Sequence, residues 1–431
     1  MPMIQVIFLT VLVFFVIVTI HEWGHYYFAK RAGILVREFA IGFGPKLLSI
    51  KRGETRYTLR LIPAGGFVRM AGEDPEIVDV AEGQTIAVRI TKDQVTRLYL
   101  DRLDERSQVV RGEVIAIDLE RNLSVTLDVD GVAETYRIHP QALMITKGKE
   151  TQIAPIDRQF GSKTVGQRAL AIFAGPFMNF VLAFVLVGIY IQLTGVTVDN
   201  PDKVLVGEIV NGRPAAQSDL KVGDEIRSVN GIKIVVGAEQ NIIKMIGESA
   251  GKPTTWEIVR DGGVRTISIT PVLVKDEITN KMVGKIGVGF AYPTRSASIG
   301  ETISLSGQYM KNMTVAIFEG FKKLVLGQFK MDDLGGPVRT AEVTGQIAAQ
   351  GITKLTSWAA LLSLYLGIFN LLPIPALDGS RLIFLGVEAV RGKPLDPNRE
   401  SLVHFIGFAM IMLLMVVVTY NDILRLFRGE H

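Results

Sequence analysis

The chain has 431 residues, 48% of them hydrophobic, with no cysteine and a formal net charge of +4. The lack of cysteine excludes disulfides, thiolate metal sites and cysteine nucleophiles, and so small a charge gives no reason to expect nucleic acid as a partner. Length, hydrophobic share and positive mean hydropathy point instead to a membrane protein with two or three domains.

Residues 4–20 (IQVIFLTVLVFFVIVTI) form the first apolar run. They carry neither a basic n-region nor a small-x-small cleavage site, so the run reads as a retained anchor rather than a signal peptide. It leads straight into HEWGH at residues 21–25. On a helix, His21 and His25 lie four apart and project from one face, which is the geometry for two imidazoles on one zinc ion. Glu22 is placed to act as general base toward water. The alternative is a chance motif or a polar helix end. Only five histidines make chance rare, and an ionisable group at membrane depth costs roughly 2.5–3.5 kcal/mol, which argues for function.

Further on, residues 109–139 alternate apolar and polar, with Asp130-Gly131 as the turn between two strands. Residues 169–193 make the second apolar run. Residues 203–274 read as strands around tight turns, with Gly223-Asp224 and Asn230-Gly231 among the turn signals. Residues 299–330 read as an amphipathic helix lying along the membrane interface, with Lys311, Lys322 and Lys323 among apolar positions. Residues 357–372 and 402–420 complete a set of four spans. Lys30, Arg31, Arg37, Lys46, Lys51 and Arg52 follow span one, Lys163 and Arg168 precede span two, and Arg381, Arg391, Lys393 and Arg399 separate spans three and four. The first and third connections are therefore expected in the cytoplasm and the N-terminus outside, with Arg425 and Arg428 against the rule.

A catalytic zinc needs a third protein ligand and an open position. His139, His404 and His431 read as ordinary surface or interface residues. The better candidate is Asp378, in IFNLLPIPALDGSRL at residues 368–382. Pro373 and Pro375 cannot continue a helix, so span three must unwind into extended chain, which presents Asp378 beside the flexible Gly379. Spans one and three both run inward. Ile4 to Ile20 covers about 26 Å of a roughly 30 Å core. HEWGH, Asp378 and AGPFMNF (residues 174–180) thus share one depth near the cytoplasmic face.

Those motifs resemble the site-2 proteases, zinc metalloproteases that cleave substrates inside the membrane. HEWGH is similar to that family's HExxH, NLLPIPALDG to its N-x-x-P-x-P-x-L-D-G, and AGPFMNF to its G-P-x-x-N element. GFGP at 42–45 and LIPAGGFVRMAGEDP at 61–75 resemble the bacterial branch. The resemblance implies His21, His25 and Asp378 as zinc ligands and Glu22 as catalytic base. It implies that Asn370 and Asn179 bind substrate or hold the active-site helices. Residues 203–274 resemble one PDZ domain, which either binds peptides or screens substrates by size; a plain β-sandwich spacer is the alternative.

The expected architecture is a polytopic α-helical membrane protein with about four transmembrane helices, in six segments. Residues 1–75 carry the first helix and a membrane-associated β-hairpin, 76–160 a cytoplasmic β-rich insert, and 161–198 the second helix. Residues 199–275 form an extracytoplasmic PDZ-like domain, 276–350 a linker with the amphipathic helix, and 351–431 the third and fourth helices. In residues 54–70 the alternation of Tyr57, Leu59 and Leu61 before Ala64-Gly65-Gly66 suggests a hairpin whose edge pairs with unwound substrate; a surface hairpin fits the same pattern. Expected partners are single-span membrane proteins, such as anti-sigma factors or remnant signal peptides, together with membrane lipids. Two rivals are a metal transporter, which would need ionisable residues on several spans, and a non-catalytic PDZ membrane adaptor, which would need no base beside a metal.

Overall fold

The computed structural model describes residues 2–73, 80–210, 212–237, 239–275, 282–328 and 335–428. The expected boundary at 75/76, the Asp74-Pro75 end of the GEDP stretch and positions 329–330 lie outside them. The α-helices are α1 (Met3–Arg31), α2 (Val165–Thr194), α3 (Glu239–Glu248), α4 (Ile299–Val325), α5 (Pro337–Ala349), α6 (Ile352–Asn370), α7 (Asp378–Arg391) and α8 (Pro397–Arg428). Helices α1, α2, α6 and most of α8 are long and apolar enough to cross a membrane, in agreement with the four apolar runs. The chain divides into two compact units, Met1–Val187 with Ser306–His431, and Gly188–Leu305.

In the first unit, Val13 and Ile17 of α1 pack with Leu355 and Ala359 of α6 and Ala348 of α5. Asp422, near the end of α8, accepts from the backbone N–H groups of Gly336 (3.3 Å) and Arg339 (3.0 Å), which satisfies the first turn of α5. Segment 276–350 is therefore more than a linker. Helix α4 covers most of the stretch read as amphipathic. Its Ile317, Met313 and Phe321 pack on Ala183, Leu364 and Ile368 of α2 and α6, so neighbouring helices cover part of its apolar face, while Val315, Phe318 and Leu324 stay exposed.

Residues 36–70 fold into more than a hairpin. Strands β1 (Val36–Arg52) and β2 (Thr55–Met70) each bend and pair twice. Residues 36–41 lie between 56–59 on one side and 66–70 on the other, and 46–52 pair with 55–60. The result is four segments in the order 46–52, 55–60, 36–41, 66–70, in which 36–41 runs alongside 56–59 in the same direction and the outer two pairings are antiparallel. The first bend needs Gly42, at φ +90°, where a Cβ would stand 2.8 Å from the Ile62 carbonyl oxygen. Phe43, Leu47, Leu48, Ile50, Leu61 and Ile62 are exposed on this sheet, an apolar surface suited to lipid.

The insert is a small closed barrel. Strands β3 (Thr85–Thr91), β4 (Gln94–Tyr99), β5 (Val110–Asp118), β6 (Ser124–Val129) and β7 (Val132–Thr146) run in the order β4-β3-β5-β6-β7, and β4 pairs in parallel with β7 to close it. Strand β8 (Lys149–Gln152) extends from β7. Val88, Leu98, Val114, Val125, Leu127 and Ile138 fill its core. Asp130-Gly131 forms the expected two-residue turn, both residues at positive φ.

Glu54, at the turn between β1 and β2, fastens the sheet to the end of the insert. It accepts from Arg158 at 2.5 and 2.8 Å and from Gln152 at 2.8 Å. The bonds from the Arg158 guanidinium hold its carboxyl down at about 2. A carboxyl depressed by folding stabilises the native state above its unfolded value and loses that contribution as pH falls through the native one. Acidification from about 4.5 to about 2 should therefore release this tie. Glu54→Gln should melt at lower temperature than wild type at neutral pH, with a difference that shrinks toward pH 2 in detergent thermal scans. A gap constant across that range would rule out the ion pair as its cause.

In the second unit, strands β9 (Val196–Thr197) and β18 (Thr294–Arg295) pair with each other. The main sheet comprises β10 (Leu205–Ile209), β11 (Glu225–Val229), β13 (Thr254–Arg260), β14 (Gly263–Ile269) and β17 (Val288–Ala291), ordered β14-β13-β11-β10-β17. Strand β12 (Ile232–Lys233) turns back on β11 at Asn230-Gly231, and β15 (Val272–Lys275) pairs with β16 (Met282–Lys285). Trp256, Ile258 and Val229 are fully buried with Ile242 and Ile246 of α3. Asp224 is also buried, where Arg260 meets its carboxylate at 2.7 Å.

Candidate active site

Helix α1 continues unbroken through HEWGH to Arg31, so His21 and His25 do project from one face. Their Nε2 atoms lie 3.2 Å apart. Asp378 Oδ2 lies 3.4 Å from each. Four-coordinate zinc with bonds of 2.0–2.2 Å separates its ligand atoms by about 3.3–3.5 Å, so the triangle has the size of one tetrahedral face. Oδ2 of Asp378 is buried and accepts no hydrogen bond among the described residues, as expected of an atom kept for a cation. The residues fit zinc.

Each ligand candidate is held from behind. His25 Nδ1 lies 2.9 Å from the Ala171 carbonyl of α2, so Nδ1 carries the proton and Nε2 keeps its lone pair. The Asn179 carboxamide reaches His21 Nδ1 at 3.2 Å; with its oxygen turned to the ring it accepts the Nδ1 proton and gives the same tautomer. Asn179 is completely buried, and its backbone carbonyl accepts from Ser363 of α6 at 2.9 Å. Of the two roles expected for it, these contacts fit holding the helices. Asn179→Ala should lower zinc affinity by about 10–100-fold, measured by chelator competition. Unchanged affinity would remove it from the support of His21.

Helices α1 and α2 cross closely because both are bare there. A Cβ on Gly24 would lie 2.4 Å from the Ala174 carbonyl oxygen, and one on Gly175 would lie 2.1 Å from His25 Nε2. After Asn370, the two prolines end α6 as expected, but Asp378 is the first residue of α7, not part of an extended chain. Its carboxylate there faces a helix N-terminus, a favourable place for negative charge. Gly379 acts through close approach, since a Cβ would meet the Leu371 and Leu372 carbonyl oxygens at 2.4 Å. Ala376 takes a left-handed φ of +78°, and its N–H donates to His404 Nδ1 of α8 at 3.1 Å. His404, read as an ordinary residue, thus holds the Asp378 turn, and no motif in the sequence distinguishes it.

The trio opens on a chamber of about 420 Å3. Glu22 and Asn370 line it, as does the sheet edge 66–70. Gly66 allows this edge to approach the base: a Cβ there would stand 2.7 Å from Glu22 Cγ. Tyr57, Leu59 and Leu61 do not line the chamber. Tyr57 and Leu59 lie on segment 55–60, which is paired on both sides, and Leu61 is exposed beyond it. Tyr57 instead meets the Tyr26 hydroxyl at 2.7 Å. Among the described residues, 66–70 pairs only with 36–41 and so forms the sheet edge beside the chamber.

Two histidines and an aspartate converging on one point, with a glutamate beside an open chamber, define a mononuclear metallohydrolase. Residues 9–414 match the model of peptidase family M50, and the chain belongs to that family. It is 44% identical to the regulator of sigma-W protease RasP of Bacillus subtilis, over 97% of this chain and 98% of that one. It is 43% identical to the zinc metalloprotease RasP of Geobacillus kaustophilus, over 97% of both, and 37% identical to a probable protease, eep, of Enterococcus faecalis, over 97% and 98%. A solved PDZ domain of an SdrC-like protein from Listeria monocytogenes matches 22% of this chain and 94% of that one, at 22% identity and a TM-score of 0.18. The chain is a multi-pass membrane zinc metalloprotease that acts in intramembrane proteolysis.

Proposed function

We propose that His21, His25 and Asp378 hold the zinc, that Glu22 is the general base, and that the substrate is a transmembrane segment of a single-span protein. The observation that carries this reading is the 3.2–3.4 Å triangle beside Glu22, built from helices α1 and α7. Zinc supplies Lewis acidity to the attacking water and the scissile carbonyl. Glu22 removes the proton from the water and delivers it to the leaving amine. A helical substrate hides its amides in its own hydrogen bonds, so it must be extended first. The edge segment 66–70 offers backbone partners to the extended chain, and Asn370 lines the same chamber.

The Lys and Arg clusters around spans one to three support an active site near the cytoplasmic face, with the barrel insert on that side and residues 199–275 outside. The strands of that outer domain are consistent with a PDZ-like module that limits the size of substrate domains it admits. The name of the Bacillus subtilis relative, a regulator of sigma-W, makes an anti-sigma factor a reasonable substrate class here. The test is cleavage of a tagged single-span substrate by purified full-length protein, with and without chelator. Cleavage indifferent to chelator would defeat the reading. Cysteine-labelling at positions near 120 and near 240 tests the sidedness; labelling from the same side would defeat it.

A further inference from the structure

The metal chamber continues into a second cavity of about 700 Å3, and Glu73, Ile172, Ala376 and Arg381 line both. The rings of Phe160, Phe384, Phe405 and Phe408 line it, with Leu385 and Leu395 among its other apolar residues. Its polar groups are largely engaged with one another. Arg168 of α2 forms a two-pronged ion pair with Glu388 of α7, and Arg381 pairs with Glu73. His404 Nδ1 is taken by the Ala376 N–H. Seating a charged ligand against Arg168, Glu388, Arg381 or Glu73 would break an ion pair, whereas an apolar side chain meets aromatic surface at no such cost.

The position of this cavity relative to the sheet edge supplies its occupant. Residues 66–70 line the metal chamber, and the same chain passes directly into Gly72 and Glu73, which line the second cavity. Gly72 is at φ +68°, and a Cβ on it would lie 2.7 Å from Gln159 Cβ, so the strand end is seated tightly against the insert's last turn. A peptide paired along 66–70 and kept extended advances about 3.3 Å per residue. Its next few residues beyond the level of Met70 therefore enter the larger cavity.

We propose that this cavity is a specificity pocket of the protease. It receives a large apolar side chain of the substrate, within about four residues of the scissile bond on the Met70 side, with the Glu73–Arg381 pair at its threshold. The inference rests on the proteolytic reading given above and adds a substrate preference to it.

The test uses the full-length protein in lipid nanodiscs and one tagged single-span substrate whose scissile bond has been mapped. Phe, Leu or Ala is placed in turn at each position flanking that bond. At one position on one side, Phe or Leu should raise kcat/KM at least about tenfold over Ala, the discrimination expected of an apolar pocket. Ser401→Phe and Leu385→Phe both fill the cavity. Each should bring the Phe-to-Ala ratio at that position toward one and leave the ratios at other positions alone. Leu385 is buried and its variant is the one at risk of misfolding; Ser401 is exposed on α8, so Ser401→Phe carries the test in that case. A Phe-to-Ala ratio unaffected by filling, a loss equal at every position, or no side-chain preference at all would overturn the pocket. Glu22→Gln runs in parallel. If wild type shows no Glu22-dependent cleavage, the proteolytic reading itself falls and the pocket with it; if that cleavage is present and only the ratio fails to respond, the pocket alone falls.

Discussion

Glu22→Gln should leave zinc binding intact and reduce turnover by about 10³-fold, within the range a general base contributes. Glu22 is buried and lines the chamber, yet its carboxylate is outside the ligand triangle. Glutamine keeps its volume and hydrogen-bonding shape but cannot accept the proton of the attacking water. Asp378→Ala should behave oppositely, losing metal as well as activity, because it removes one corner of that triangle. Metal analysis after dialysis and a cleavage assay on the same samples separate the two. Near-normal cleavage by Glu22→Gln would mean that the proton goes elsewhere and that the hydrolytic assignment of this residue is wrong.

An equally large effect is expected from a residue with no side chain. In Gly175→Ala the added methyl has no rotamer by which to escape, and its place is 2.1 Å from His25 Nε2. Either α2 moves away from α1, which takes the Ala171 carbonyl from His25 Nδ1, or His25 turns aside, which takes its Nε2 from Asp378. Zinc affinity should drop by at least the 10–100-fold seen when groups behind a ligand are lost, and cleavage should drop with it. Gly166→Ala, on the same helix with nothing within 4 Å, supplies the control. It should retain zinc and gain slight helix stability, about 0.5–1 kcal/mol where the site is free of strain. Equal zinc affinity in the two variants would show that the close crossing of α1 and α2 does not set the ligand geometry.

Part of this site is written in the chain as local periodicity. His21 and His25 share a face because four residues make about one helical turn, and Glu22 follows from the same helix. Pro373 and Pro375 end α6 wherever the chain is placed, since proline has no N–H to give. The four apolar spans follow equally from length and composition. Asp378 could be chosen because counting crossings puts its motif at the depth of HEWGH.

Other features depend on what the folded chain brings alongside. Alternation in residues 36–70 shows that strands are present, but a period of two residues does not say which neighbour each strand takes. The bend at Gly42 made 55–60 an interior segment and left 66–70 at the edge, which moved the available backbone away from Tyr57 and Leu59. The amphipathic pattern of α4 revealed an apolar face, yet lipid and a neighbouring helix are equally apolar, and only packing showed α2 and α6 covering part of it. His404 and Asn179 act on groups 28 and 158 residues away in the chain. The His21–His25 spacing, the spans and the break before Asp378 are legible in the chain because each depends on a few consecutive residues. Which strand edge borders the His21–His25–Asp378 triangle, and which side chains support it, emerges only from packing, because hydrogen bonds between distant residues leave no period in the chain.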